Sequence, residues 1–109
     1  MKRVVKYIKA EGPDCNALKC EVYYNLGGMN YFTYKTEQRG YYVSVSPVKR
    51  DEHFESFVAF SGIKNCVLPV NRQSKKAEET AISMMGKAVR PLIDYVTKLR
   101  GIKLLEEYK

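Results

Sequence analysis

The spacing of apolar residues along this chain changes near Ser74. Before Ser74, apolar and polar residues tend to alternate, as they do in strands that bury one face. After Ser74, apolar residues recur three or four positions apart, as they do along one side of an amphipathic helix. The change in period predicts an α+β fold: an antiparallel β-meander of four to five strands, followed by a long C-terminal helix that packs on one face.

Glycine, proline, aspartate and asparagine divide the first two thirds of the chain into short alternating segments. Residues 10–17 are rich in these residue types and are predicted to form a loop. The glycine at the end of Glu37–Gly40 can supply the positive φ that a tight hairpin needs. The predicted strands are Leu18–Leu26, Asn30–Thr36, Tyr41–Val48, Phe54–Phe60 and Lys64–Val70, and Val4–Ile8 alternates with lysine as a short edge strand does.

The helix is predicted to begin at Ser74, whose hydroxyl suits an N-cap, and to end at Gly101. Pro91 has no N–H group for a helical hydrogen bond, so we expect the helix to kink or restart near Arg90. The buried stripe of the helix is predicted to comprise Ala77, Ala81, Met84, Met85, Ala88, Leu92, Val96 and Leu99.

Composition limits the chain to one domain and a few classes of function. With 109 residues, of which 45% are hydrophobic, the sequence fits a single α+β domain over residues 1–109. Three cysteines are too few and too irregularly spaced for a disulfide framework, which favours a reducing, cytoplasmic location. Lys6 and Lys9 interrupt the first apolar run, so we expect no signal peptide. No apolar run approaches the length of a membrane span, and we expect no membrane partner.

The lengths of the loops decide which side chains of the meander share a face, because paired residues in an antiparallel sheet point to the same side. We expect a loop of three residues at Gly27–Met29 and a loop of four residues at Glu37–Gly40. A two-residue turn at Gly27–Gly28 is the alternative. It would shift the strand Leu18–Leu26 by one residue relative to its neighbour. The core face predicted from the longer loop is Cys20, Val22, Tyr24, Leu26, Phe32, Tyr34, Tyr41, Val43 and Val45.

The opposite face of this predicted sheet is polar but rich in aromatic rings. Rings on which bases stack, together with cations that neutralise phosphates, make up single-strand-binding surfaces. The net charge of +7 agrees with a polyanionic partner. We therefore predict non-enzymatic binding of single-stranded DNA or RNA, with tyrosines stacking on bases, lysines near phosphates and hydroxyls donating hydrogen bonds. The residues predicted to form this site are Tyr23, Tyr31, Tyr42, Lys19, Lys35, Thr33 and Ser44.

A second group of cations lies where the helix is predicted to begin. Arg72, Lys75 and Lys76 are close to the positive end of the helix dipole, which attracts anions and disfavours cations. A phosphate held by the free backbone amides would balance these charges, so we add the three residues to the predicted nucleic-acid site. The alternative is a solvated charge cluster offset by Glu78 and Glu79.

The same face would also suit a small protein-interaction or dimerisation module with no nucleic-acid role, because tyrosine is enriched at protein interfaces. A homodimer is the simplest form of this alternative. The predicted order of strands and helix resembles that of Pur-type and Whirly-type single-strand-binding domains. This resemblance is one of architecture, and it implies no site residue in this sequence.

We predict no catalytic residue, no cofactor and no metal site. The single histidine, His53, follows Asp51 and Glu52 directly, and adjacent side chains point in different directions. The three cysteines together with His53 could supply four zinc ligands, but their spacing matches no paired zinc knuckle.

Overall fold

The structure is a computed structural model that describes residues 4–58 and 62–108. Seven strands of the described residues precede one long helix, and a short strand follows it. The strands are β1 (Val4–Gly12), β2 (Cys15–Asn25), β3 (Gly28–Asn30), β4 (Lys35–Glu37), β5 (Gly40–Arg50), β6 (Glu55–Phe57), β7 (Ile63–Leu68) and β8 (Lys103–Leu104), and the helix is α1 (Lys75–Arg100).

Six strands form the main sheet within the described residues, in the order β6-β5-β2-β1-β8, and β7 also pairs with β5. All of these pairings are antiparallel. Helix α1 packs on one face, which we call the inner face, against β5, β7 and β2. The predicted α+β class, an antiparallel sheet followed by a C-terminal helix, is confirmed.

The longest pairing of the sheet joins β2 directly to β5. It runs from Ala17 opposite Val48 to Asn25 opposite Gly40. Because these two strands are hydrogen-bonded neighbours, no further strand fits between them, and residues 26–39 must leave the sheet. The predicted strand Asn30–Thr36, which we expected beside β2, is therefore wrong.

Two glycines let the chain leave the sheet and return to it. Gly27 has a φ of +75°, and a Cβ atom on it would lie 3.0 Å from the backbone nitrogen of Arg39. Gly40 has a φ of +153°, and a Cβ atom there would lie 2.4 Å from the carbonyl oxygen of Leu68. A side chain at either position would therefore strain the backbone or collide with it.

The inner face of the sheet supplies one half of the core. Tyr24 is partly buried and packs against this core. Leu26, Phe32 and Tyr34, which we predicted to be buried, are 67%, 82% and 81% exposed because their segment has left the sheet. The residues of the predicted core face that the structure buries are Cys20, Val22, Tyr41, Val43 and Val45.

Helix α1 supplies the other half of the core. Successive helical residues turn by about 100°, and the stripe that faces the sheet is centred near Met85 and Val89. Met84 falls outside this stripe and Leu99 lies in the last turn, so both are exposed, contrary to the prediction. The buried helical residues are Ala81, Met85, Val89, Leu92, Ile93 and Val96.

The predicted ends of the helix are confirmed. The Ser74 hydroxyl oxygen accepts a hydrogen bond of 3.1 Å from the backbone N–H of Ala77, and Gly101 adopts the left-handed conformation. The helix does not restart near Arg90, because α1 continues through Pro91. A kink at this point stays a prediction. Pro91 and Lys87 are both exposed, so the carbonyl that loses its helical partner lies on the solvent side. No helix among the described residues is both long and apolar enough to cross a membrane.

Two further predictions need correction. The predicted loop over residues 10–17 is a turn of only Pro13 and Asp14, because β1 continues to Gly12 and β2 begins at Cys15. Asp14 adopts a φ of +57°, a conformation that short polar side chains tolerate. The predicted strand Phe54–Phe60 is reduced to β6, and its last two residues lie outside the described part of the chain.

Replacing Val43 with alanine should lower the free energy of unfolding by about 2–3 kcal/mol, because it removes buried methyl groups and leaves a cavity. Val43 is fully buried between the sheet and the helix. The matched control is Val5→Ala, since Val5 lies on β1 with an exposed side chain. Chemical denaturation measures both. Equal losses for the two variants would contradict the assignment of faces.

Candidate nucleic-acid interface

Residues 26–39 form a small antiparallel hairpin outside the main sheet, which we call the ring hairpin. Its two strands, β3 and β4, pair from Gly28 opposite Glu37 to Asn30 opposite Lys35. Tyr31, Phe32 and Tyr34 lie in the turn between them and are 79–82% exposed. Large apolar side chains are seldom displayed together in this way unless they contact a partner. The hairpin is therefore the first candidate site.

The turn of the ring hairpin is held by Asn30. The Asn30 side-chain oxygen accepts hydrogen bonds from the backbone N–H groups of Phe32 and Thr33, at 3.0 and 3.3 Å. The Asn30 carbonyl accepts a third from the N–H of Tyr34, at 2.7 Å. Tyr34 itself has a φ of +58°, which is uncommon for a bulky residue and fixes the end of the turn. The rings are thus carried on an ordered turn.

Glu37 joins the ring hairpin to the main sheet. Its carboxylate accepts hydrogen bonds of 3.1 Å from the side-chain amides of Asn25 on β2 and Asn30 on β3, and it forms an ion pair with Lys64 on β7. The hydrogen bond from the Lys64 ammonium, helped by the two amides, outweighs burial and lowers the pKa of Glu37 to about 2. The hairpin is therefore fastened to two strands of the sheet through one carboxylate.

The outer face of the sheet, opposite α1, carries Tyr23 and Tyr42 side by side. Their ring centroids are 5.9 Å apart in a stacked arrangement. Tyr42 is only 6% exposed, its hydroxyl donates to the carbonyl of Gln38 at 2.7 Å, and Lys64 lies over its ring at 5.6 Å. Burial raises the pKa of Tyr42, and the neighbouring Cys66 and Glu37 side chains raise it further. The predicted stacking of a base on Tyr42 is not supported by this geometry, because its faces are already covered.

Lys19, which we predicted to contact phosphate, lies in an ionic network on the outer face. Its ammonium is 2.8 Å from Glu55 and 3.5 Å from Glu21, and its side chain is 13% exposed. Burial alone would lower the pKa of Lys19, but the hydrogen bond to Glu55 and the two carboxylates raise it. Tyr7 donates a hydrogen bond to the same Glu55 carboxylate. The charge of Lys19 is therefore compensated within the protein, so its predicted role as a phosphate contact is not supported.

A groove of about 540 Å³ lies on the outer face beneath the ring hairpin, and we call it the outer groove. Three of the predicted site residues, Tyr23, Thr33 and Ser44, line it together. Ser44 and Ser46 come from β5, whereas Thr33 comes from the turn of the ring hairpin. The hairpin thus bends over the sheet and closes one side of the groove. The remaining lining residues are Glu21, Asn30, Glu37, Phe57, Gly62, Ile63 and Lys64.

The other predicted cations are exposed and lie towards the end of the sheet that carries the ring hairpin. Lys35 is on β4, within the hairpin itself. Arg72, Lys75 and Lys76 surround the start of α1, which is held at that end by a 3.3 Å hydrogen bond from the Tyr41 hydroxyl to the Ser74 carbonyl. None of these four cations forms an ion pair with a residue that the structure describes.

The predicted site residues that remain accessible therefore lie in two places in the structure. Tyr31, Lys35, Arg72, Lys75 and Lys76 are exposed at the hairpin end of the molecule, while Tyr23, Thr33 and Ser44 line the outer groove. Phe32 and Tyr34 belong to the exposed set, contrary to their predicted place in the core. The signal that could have found them is the run Tyr31-Phe32-Thr33-Tyr34, in which adjacent rings break the alternation of a half-buried strand.

Among residues 4–58 and 62–108, no group of three or more histidine, cysteine or acidic side chains is arranged to hold a metal ion. No family model, no curated protein and no solved structure matches this chain. The geometry of the hairpin and of the outer groove is therefore the basis for any functional assignment.

Replacing Glu37 with glutamine should lower the free energy of unfolding at neutral pH by about 1–3 kcal/mol, because it removes the charge that Lys64 and the amides stabilise. Glu37 has a lower pKa in the folded protein than in the unfolded chain. Its contribution is therefore complete above about pH 4.5, the ordinary value, and is lost as the pH falls to about 2.

Chemical denaturation of both proteins between pH 2 and 7 measures this contribution. The difference between wild type and Glu37→Gln should shrink steadily as the pH falls. The control is Glu52→Gln, since Glu52 is exposed in the turn before β6. A difference that stays constant with pH would show that Glu37 does not anchor the hairpin as a carboxylate.

Proposed function

We propose that this protein binds single-stranded nucleic acid without catalysing a reaction, and that the ring hairpin is the main contact. The observation that carries this proposal is the display of Tyr31, Phe32 and Tyr34 on a turn fixed by Asn30. Each ring exposes a face on which an unpaired base can stack, and such stacking is worth about 1–3 kcal/mol per base.

Cations at the hairpin end of the molecule supply the second component of the proposed surface. Lys35 lies in the hairpin, and Arg72, Lys75 and Lys76 lie at the same end of the molecule. Cations without acidic partners can neutralise phosphates, and each contact releases a counterion from the nucleic acid. The proposal thus moves the binding surface from the flat sheet face to the hairpin end, because Tyr42 and Lys19 are engaged within the protein.

A protein partner is the second candidate, and the apolar side chains Leu26 and Met29 favour it. Both are more than half exposed on the ring hairpin and have no base-stacking face. Aromatic residues and methionine are enriched at protein interfaces, including those of homodimers. The dependence of binding on salt separates the two candidates, since an apolar protein interface holds or tightens as salt rises.

The double variant Tyr31→Ala/Phe32→Ala should bind a labelled oligonucleotide of about 12 nucleotides at least about tenfold more weakly than wild type. Both substitutions lie in an exposed turn, so the thermal unfolding transition should stay nearly unchanged. Fluorescence anisotropy measures the affinity. Single-stranded oligonucleotides should bind more tightly than the matching duplex, because only unpaired bases offer free faces for stacking.

The matched control is Tyr95→Ala/Leu99→Ala, which removes an exposed ring and an exposed apolar side chain from α1. This variant should keep the affinity of wild type. If the two double variants bind equally well, the ring hairpin is not the contact surface. If wild type binds neither single-stranded DNA nor single-stranded RNA, the proposed function is wrong.

Replacing Lys75 and Lys76 with glutamine should reduce the slope of log affinity against log salt by about 1–2, because up to two fewer counterions are released. The wild-type slope should be clearly negative. The control is Lys87→Gln, since Lys87 is exposed in the middle of α1, away from its start. An unchanged slope in the Lys75/Lys76 variant would remove the start of the helix from the interface.

A further inference from the structure

Three aliphatic side-chain hydroxyls that line the outer groove have no hydrogen-bond partner among the described residues. Ser44 and Ser46 are half-buried on β5, and Thr33 reaches the groove from the turn of the ring hairpin. None of these three side-chain hydroxyls makes a hydrogen bond to a residue that the structure describes. Each can both donate and accept a hydrogen bond. The groove is thus suited to a ligand that is itself hydroxylated.

The charges around the outer groove decide which part of a nucleotide it accepts. Glu21 and Glu37 line the groove as carboxylates, and Glu37 is held ionised by its low pKa of about 2. Lys64 also lines it, but its ammonium is paired with Glu37. With two carboxylates and one ammonium, the lining of the groove carries an excess of negative charge, which disfavours a phosphate. A neutral sugar carries hydroxyls without this repulsion.

Thr33 belongs to the turn of the ring hairpin and also lines the outer groove. Thr33 lies between Phe32 and Tyr34 in the sequence, so the rings and the groove are joined through one turn. In a nucleotide, one glycosidic bond joins the base to the sugar. A base stacked on Phe32 or Tyr34 therefore brings its sugar next to Thr33, which lines the groove together with Ser44 and Ser46.

We propose that the outer groove receives the ribose of a bound nucleotide and that the protein therefore prefers RNA to single-stranded DNA. The 2′-hydroxyl both donates and accepts hydrogen bonds and is the group by which proteins distinguish RNA from DNA. Ser44 and Ser46, at neighbouring outward positions of β5, donate to it or accept from it. This inference rests on the proposed function and assigns its ligand class.

The test compares labelled oligouridine with oligodeoxyuridine of the same length, so that base, charge and stacking are matched. Wild type should bind the ribose form about two- to tenfold more tightly, as expected for one net hydrogen-bonding site. The variant Ser44→Ala/Ser46→Ala should bind the two oligonucleotides equally, and its affinity for the deoxy form should equal that of wild type. Fluorescence anisotropy at one fixed salt concentration measures all four affinities.

The matched control is Ser83→Ala, whose hydroxyl bonds within α1 on an exposed part of the helix. It should keep the ribose preference, and circular dichroism should show that all variants are folded. Equal binding of both oligonucleotides by wild type would overturn the inference and leave the proposed function standing. A preference that survives in the double serine variant would also overturn it. Absence of binding to either oligonucleotide would overturn the proposed function, and the inference with it.

Discussion

The direct pairing of β2 with β5 is the constraint on which the other features depend. It brings Val22 opposite Val43 and Tyr24 opposite Tyr41, so the inner face is apolar on both strands at once. Shifting the register by one residue would turn one strand over relative to the other and expose its apolar side chains. Burial of that face under α1 therefore fixes the register, and the register in turn forces residues 26–39 out of the sheet.

Because the ring hairpin lies outside the sheet, its aromatic side chains are exposed. A segment outside the core would ordinarily be polar, yet this one keeps three rings exposed, and the Asn30 side chain forms hydrogen bonds within the turn. Asn30 orders the turn, and Glu37 fastens the hairpin to Asn25 and Lys64 of the main sheet. A turn ordered in this way loses little conformational entropy when it binds a ligand, which favours affinity. The protein thus presents aromatic surface on a rigid support, and this is the physical basis of the proposed function.

Much of the fold could be predicted from the sequence, because it depends on local patterns. Alternation before Ser74 and helical spacing after it predict the α+β class, and Ser74 and Gly101 predict the ends of α1. The hairpin could not be predicted, because the predicted register and the observed pairing of β2 with β5 place the same apolar residues, such as Val22 and Val43, on the core face. The actual choice depends on long-range contacts, such as the close approach of Gly40 to the Leu68 carbonyl.

The candidate site was predicted in part, for the same reason. Residue type alone identifies Tyr31 and the cations that remain exposed, but the partners of Lys19 and Tyr42 come from distant parts of the sequence. Glu55 compensates Lys19 from β6, and Tyr23 and Lys64 cover the ring of Tyr42 from β2 and β7. An alternating pattern indicates which side of a strand a residue occupies. It does not indicate whether another segment already lies over that side.

The central claim is that the ring hairpin, and not the helical face, is where this protein meets its ligand. Titration of isotopically labelled protein with single-stranded oligouridine, followed by nuclear magnetic resonance of the backbone amides, tests this claim residue by residue. The account predicts that the largest shifts fall on residues 30–37 and on the strand segments that border the outer groove. Shifts confined to the exposed side of α1, around Ile82 and Tyr95, would contradict it.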